Sequence, residues 1–119
     1  MPKALFMAFS NAASAAQEAE YNRWYEEHHL PDLIREVGQI TAATRYRVTN
    51  VELVPGGNKL GFKYVSLFEV EAATQADLES CAQAMREAIG RGGVDISPTV
   101  DLPTTIASFL LPIGDRRTS

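Results

Sequence analysis

The order of its periodic segments is the feature that most limits the folds open to this 119-residue chain. Segments with strand and helix patterns follow one another as strand, helix, strand, strand, helix, strand. This βαββαβ order predicts a ferredoxin-like α+β fold, in which right-handed crossovers place both helices on one face of a four-stranded antiparallel sheet. The other face of the sheet then needs a cover, and a homodimer formed through that face would provide it.

Four short segments have the composition or alternation of strands: 3–9, 40–48, 62–70 and 104–111. The second and third are expected to pair as a long hairpin around a turn rich in proline and glycine. Alternation within the second segment predicts a half-buried strand. It assigns Ile40, Ala42, Thr44, Tyr46 and Val48 to one face, and Thr41, Ala43, Arg45 and Arg47 to the other.

The first helix is expected to begin at Ser14, where Gln17 three residues later completes a capping box. It is expected to stop or kink around His29, because the residue before Pro31 disfavours the helical conformation. Proline is well tolerated at a first helical position, so a short helical turn over 31–36 is predicted to follow.

The second helix is predicted over 74–89, with Thr74 and Asp77 at its capped, acidic start and Gly90 at its end. An apolar stripe along it consists of Leu78, Cys81, Ala82, Met85 and Ile89. The single cysteine lies on this stripe, so no internal disulfide can form and a buried structural thiol is expected.

Composition and charge narrow the classes of function. Hydrophobic residues make up 45% of the chain and charged residues 22%, as in a soluble globular protein. The net charge of -4 and the lack of a basic stripe argue against a nucleic-acid partner. No apolar run is long enough to cross a membrane, and no signal-peptide pattern is seen, so a cytoplasmic location is expected. Residues 1–113 are predicted to form one domain, followed by a polar tail over 114–119.

Chemically versatile side chains are concentrated in the first helix. The only tryptophan, Trp24, and both histidines, His28 and His29, lie within three helical turns of one another. On a helical wheel Tyr25 and His28 share one sector with Tyr21, and Trp24 and His29 flank it. Asn22 and His29, seven residues apart, share one edge of the helix. The aromatic rings are expected to face the sheet.

Two interpretations compete for these rings. Trp24 and Tyr25 have the spacing of ordinary core residues, and His28 would be structural or exposed. His29, beside the predicted break, is better placed at the mouth of a pocket and is the candidate acid or base. A metal site is not favoured, because adjacent histidines on a helix point about 100° apart and their spacing matches no zinc motif.

Arg45 and Arg47 are expected on one face of the second strand. They could hold a substrate carboxylate, since the planar guanidinium matches a carboxylate with two hydrogen bonds. They could instead form ion pairs across the hairpin with Glu69 or Glu52.

The first half of the chain resembles a known family. The residues Asn22-Arg23-Trp24-Tyr25, His29-Leu30-Pro31-Asp32-Leu33, Gly38 and Arg45-Tyr46 resemble the dimeric α+β barrel superfamily, and within it the EthD-like branch. The resemblance implies a ferredoxin-like fold, a barrel closed by two subunits, and a pocket between sheet and helices. It also implies that a histidine acts as acid or base, and the residue in the matching position is His29.

Together with these residues, the resemblance implies a cofactor-independent enzyme for a small aromatic or polyketide-like molecule, with lyase, isomerase or cyclase chemistry. His29 would move the proton, Tyr25 or Tyr46 would orient it, and Arg45 would anchor an acidic group. The remaining substrate-binding candidates are Trp24, His28, Asn22, Phe6 and Phe68. Three alternatives remain open: a cofactor-free monooxygenase, a non-catalytic small-molecule-binding accessory protein, and a haem-binding member of the superfamily.

Overall fold

The computed structural model, which describes residues 3–119, has the predicted ferredoxin-like α+β architecture. Its strands are β1 (Ala4–Ser10), β2 (Ile40–Arg47), β3 (Tyr64–Val70) and β4 (Ile106–Leu110). They form one antiparallel sheet in the order β2-β3-β1-β4. Two helices pack on one face of this sheet and share one hydrophobic core with it. The predicted order of elements and fold class are therefore confirmed, although β2, β3 and β4 are shorter than expected.

The second helix spans Gln75–Gly90, close to its predicted bounds. The Thr74 hydroxyl accepts a hydrogen bond from the Asp77 N–H (3.2 Å), and the Asp77 carboxylate accepts one from the Thr74 N–H (3.1 Å). This reciprocal capping box satisfies backbone donors that the helix start would otherwise leave free. Backbone N–H donors, including that of Ala73, also hold the pKa of Asp77 below its usual value. Cys81 is fully buried on the inner face, as predicted.

The first helix does not stop at His29; an irregular turn lies where a stop or kink was expected, and the predicted helical turn after it is present. It consists of an α-helical part (Glu18–Trp24), a π-helical turn (Tyr25–His29) and a second α-helical part (Leu30–Glu36). The N–H of Leu30 bonds to the carbonyl of Tyr25, five residues back, which is the hydrogen bond of a π turn. A proline ring normally collides with the carbonyl four residues before it, and the wider turn relieves that collision. A local widening of the helix therefore replaces the expected stop.

The start of the first helix also differs from the prediction. A short 3₁₀ turn over Ala15–Gln17 precedes the α-helical part. The Ser14 hydroxyl bonds to the side-chain oxygen of Gln17 (2.8 Å) and caps no backbone N–H, so the predicted capping box does not form.

Strand β2 has a β-bulge between Ile40 and Ala42, so no residue of β3 lies directly opposite Thr41 in the strand pairing. One extra residue reverses the alternation of side chains beyond it. Ile40 is buried under the helices, but past the bulge that side of the sheet is taken by Ala43 and Arg45. The predicted grouping of Ile40 with the even-numbered residues is therefore wrong.

The core lies between the sheet and the two helices. Its large buried side chains come from both helices, from the strands and from the segment before β4: Tyr21, Trp24, Tyr25, Leu33, Ile40, Phe68, Val70, Leu78, Val94 and Val100. Within residues 3–119, no helix has both the length and the apolar composition that a membrane crossing requires.

The opposite side of the sheet, called here the open face, has no helix over it in the described chain. Strand alternation places apolar side chains there from three strands: Leu5, Met7, Phe9, Val65, Leu67, Ile106 and Leu110. Tyr46, on the edge strand β2, also lies on this face and is 50% exposed.

Candidate active site under the first helix

The π turn decides which histidine faces the sheet. A π turn takes more residues than the 3.6 of an α-helix, so each residue rotates the chain by less than 100°. His29 is thereby brought under Tyr25, towards the core, while His28 is turned outwards and exposed. The helical wheel of the sequence had grouped Tyr25 with His28, and that grouping is wrong because it assumed a regular helix.

Aromatic rings surround His29. Its imidazole stacks on the Trp24 indole with centroids 4.5 Å apart and an interplanar angle of 27°. The ring of Tyr25 is nearly perpendicular to the imidazole, with centroids 5.1 Å apart. The ring of Phe68 is also nearly perpendicular to it, with centroids 6.4 Å apart. Three rings from two elements therefore fix the orientation of the imidazole.

The imidazole is neutral at physiological pH. Burial is the largest cause and lowers its pKa to about 4; the nearby Asp32 carboxylate opposes this shift and the Arg45 guanidinium adds to it. Its Nδ1 atom is buried and has no hydrogen-bond partner. The residue as a whole is only half-buried, so part of it reaches solvent. His29 is thus a base held in its free form, with an unused polar atom.

Arg45 lies beside this imidazole and is itself buried, its side chain being only 8% exposed. Its guanidinium carbon is 4.4 Å from the ring centre of Tyr25, 4.9 Å from that of Tyr64 and 5.4 Å from that of Tyr21. Cation–π contact with three rings stabilises a charge that burial would otherwise disfavour. The ion pairs with Glu69 or Glu52 that the sequence left open are not formed.

Polar contacts to Arg45 are few. Its Nη2 donates to the side-chain oxygen of Asn22 (3.0 Å), and Asn22 in turn donates to the hydroxyl of Tyr64 (3.2 Å). Its Nη1 is 3.9 Å from a carboxylate oxygen of Glu26, beyond hydrogen-bond distance, and its Nε is buried without an acceptor.

A hydroxyl cluster positions the tyrosines. The Ser10 hydroxyl, at the end of β1, is hydrogen-bonded to the hydroxyls of Tyr21 and Tyr25, the latter at 3.1 Å. Burial is the main reason that the pKa of Tyr21 is raised to about 12. Sequence reasoning did not assign a role to Ser10 or Tyr64. A serine ending an otherwise apolar strand, opposite a tyrosine-rich helix, was the available signal for the first of them.

The predicted site residues fall into two groups. Trp24, Tyr25, His29, Asn22, Arg45 and Phe68 form one contiguous cluster on the helix side of the sheet. Phe6 is one layer further away, because it contacts Phe68 and Phe109. Two candidates lie elsewhere: His28 points to solvent, and Tyr46 is on the open face. Neither is placed to orient a proton at His29 within this chain.

Two cavities of the described chain lie away from this cluster. One of about 500 Å³ is at the start of the first helix, lined by residues that include Asn11, Glu18 and Lys63. Another of about 650 Å³ lies beside the start of the second helix and the C-terminal segment. Neither is lined by His29. Among residues 3–119, no group of three acidic, histidine or cysteine side chains is placed to hold a metal ion.

Comparison with known proteins finds similarity in structure only. No family model matches the sequence, and no curated protein matches it. An ethyl tert-butyl ether D (EthD) family protein from Bacillus halodurans is similar in structure, with a TM-score of 0.48, 13% identity, and coverage of 91% of this chain and 97% of that one. HapK from Hahella chejuensis is similar with a TM-score of 0.48, 14% identity, and coverage of 97% and 99%.

Proposed function

We propose that this protein is a cofactor-independent enzyme in which His29 transfers a proton on a small aromatic or polyketide-like molecule. The reaction would be of the lyase, isomerase or cyclase type. The observation that carries the proposal is the half-buried, neutral imidazole of His29, oriented by Trp24, Tyr25 and Phe68 and bearing a polar atom without a partner. Unpartnered buried polar atoms are uncommon in proteins, and an active site is one setting in which they occur.

The proposed step is proton abstraction. The free imidazole takes a proton from an acidic C–H or O–H of the substrate, and the electron pair of that bond stays on the substrate as an enolate or phenolate. The Arg45 guanidinium stabilises this developing negative charge. A base with a pKa of about 4 is weak on its own. A negative charge beside it raises that pKa, so the base strengthens as the proton moves.

Tyr25 is the tyrosine suited to assist. Its ring contacts both His29 and Arg45, and its hydroxyl is held by Ser10. Ser10 also bonds to Tyr21 of the first helix. Both strand β1 and the first helix therefore hold the Ser10 hydroxyl to which Tyr25 bonds. A donor that is already oriented needs no reorganisation when charge develops. A positioned acid or base contributes about 10²–10⁴ in rate.

We further propose that the protein acts as a homodimer formed through the open face. Seven apolar side chains from three strands lie on that face, and apolar side chains gathered on one surface are typical of an interface between proteins. Leu67 lies at its centre, opposite Met7 on β1 and Thr44 on β2. Light scattering is expected to give the mass of two chains for the wild type and of one chain for Leu67→Glu. A wild-type monomer at micromolar concentration contradicts the dimer.

Deuterium exchange tests the catalytic proposal without knowledge of the net reaction. Small aromatic enols and β-diketones are incubated with the protein in D₂O, and loss of the acidic C–H signal is followed by NMR. The wild type is expected to accelerate exchange, and His29→Gln to reduce the acceleration about 10²-fold or more.

His28→Gln is the matched control, because the neighbouring imidazole is exposed and turned away from the sheet. It is expected to exchange like the wild type. Equal exchange by the wild type and His29→Gln would rule out His29 as the base. Turnover that stops when air is removed would instead favour the monooxygenase alternative.

A further inference from the structure

Arg45 has a long ion-pair contact to Glu26 and no close anion in the described chain. Of the side chains that face its guanidinium, five are uncharged: Tyr21, Tyr25, His29, Asn22 and Tyr64. The one carboxylate, Glu26, is 63% exposed and stays 3.9 Å away. A buried cation normally has a close anion and satisfied N–H groups, and removing such a partner is strongly destabilising. Here the partner is distant and Nε has no acceptor at all.

We propose that the ligand of this site carries a carboxylate, which binds the guanidinium of Arg45 in the position that Glu26 only partly fills. The proposal rests on the proposed function for placing the reaction at His29, and it adds the class of substrate: a small aromatic acid. The carboxylate enters from the side of Glu26, whose own side chain is 63% exposed. Glu26 then moves into solvent, where an exposed carboxylate is well hydrated.

A carboxylate fits this position better than a neutral oxygen. Hydrogen bonds between a guanidinium and a carboxylate are charge-assisted, and their planar geometry allows two at once. The ring of an aromatic acid would lie beside the stacked pair of Trp24 and His29. The anion would also offset the repulsion between Arg45 and a protonated His29, so ligand binding makes the base stronger.

Binding of two isosteric probes tests this proposal. Benzoate and benzamide have the same shape and differ in charge. Calorimetry is expected to show that the wild type binds benzoate at least about tenfold more tightly than benzamide, since charge-assisted hydrogen bonds are worth more than neutral ones. Arg45→Lys keeps the charge but loses the planar fork, and benzoate binding is expected to weaken about tenfold.

Glu26→Gln and Glu27→Gln form a matched pair on adjacent exposed positions. Glu26→Gln replaces the competing carboxylate by a neutral amide of the same shape at a position that is 63% exposed, so benzoate should bind about three- to tenfold more tightly. Glu27→Gln is expected to change binding by less than about twofold. His29 should also titrate at a higher pH in the benzoate complex than in the free protein, as followed by NMR.

Equal affinity for benzoate and benzamide overturns the proposal, as does benzoate binding that responds equally to Glu26→Gln and Glu27→Gln. The glutamate pair keeps this test decisive if Arg45→Lys fails to fold. The proposed function fails separately. If benzoate binds at Arg45 but His29→Gln leaves deuterium exchange unchanged, the ligand class stands and the proton-transfer role of His29 does not.

Discussion

The two helices cover the same face of the sheet, yet only the second follows the local rules of helix formation throughout. It has a reciprocal cap at Thr74 and Asp77, a regular backbone over Gln75–Gly90 and a small-to-medium apolar inner face. The first helix begins with a 3₁₀ turn, widens into a π turn at Tyr25–His29 and runs through Pro31. Departures from local rules in natural proteins are concentrated at functional or strained sites.

The inner faces of the helices differ in the same way. The second helix buries Leu78, Cys81 and Ala88. The only side-chain hydrogen-bonding group among these three is the weak thiol of Cys81. The first brings Tyr25 and His29 against the sheet, where Arg45 and Ser10 meet them. The inner face of the second helix is thus apolar, whereas that of the first, which is also part of the core, combines aromatic, polar and titratable groups. Four substitutions test that difference.

The largest effect is expected at Trp24, in the first helix. Trp24→Ala removes a ring that is only 8% exposed and should lower the free energy of unfolding by about 3–5 kcal/mol in denaturant melts. The pKa of His29 should rise towards its usual value, because burial is the main cause of its depression. Ile34→Ala, on the outer side of the same helix, is the control and should cost well under half as much. Similar losses for both would place the indole outside the core.

The next effect is a pH dependence located at His29. The pKa of its imidazole is about 4 in the folded chain and about 6.5 when unfolded, so the unfolded state binds the proton first. Stability should therefore be greatest above pH 6.5 and fall as the pH drops from 6.5 to 4, by up to about 3 kcal/mol from this group. Unfolding of His29→Gln should lack most of this slope, and unfolding of His28→Gln should keep it. Identical slopes in all three proteins would contradict a depressed pKa.

A smaller effect is expected at the cap of the second helix. Thr74→Ala removes the hydroxyl that accepts from the Asp77 N–H, which should cost about 1 kcal/mol of stability. The rate at which the folded protein catalyses deuterium exchange of the small-molecule probes should be unchanged, since this cap does not contact the site. Thr74→Ser keeps the hydroxyl and should recover most of the loss. A change in exchange rate would show that the two helices are not separable in function.

The smallest effect is expected on the outer surface of the first helix. Arg23 pairs with Glu20 at 2.6 Å, but both side chains are more than half exposed. Arg23→Ala should leave the thermal midpoint almost unchanged, and added salt should reduce even that small effect. A larger loss in thermal melts would mean that charge on this surface contributes to holding the irregular helix.

Much of the fold could be predicted from the sequence because the relevant signals are local. The capping pair at Thr74, the apolar stripe with Cys81 and the strand alternation all act within a few residues of chain. The site was predicted only in part. His29, Trp24, Tyr25, Asn22, Arg45 and Phe68 come together, whereas His28 and Tyr46 do not. Both errors arise because the π turn and the β-bulge shift the side chains near them. A regular helical or strand period does not predict such shifts.

The sequence by itself determined the order of elements, the second helix and the chemical content of the first, because propensity, capping and apolar spacing depend on near neighbours. Only the tertiary structure decided which side each critical residue faces. The π turn before Pro31 turns His29 inwards, and the bulge at Thr41 turns Arg45 under the helices. The bulge adds one residue to the strand, and the π turn adds one residue to a turn of the helix. In a helix or a strand that is enough to move a side chain from solvent into the core.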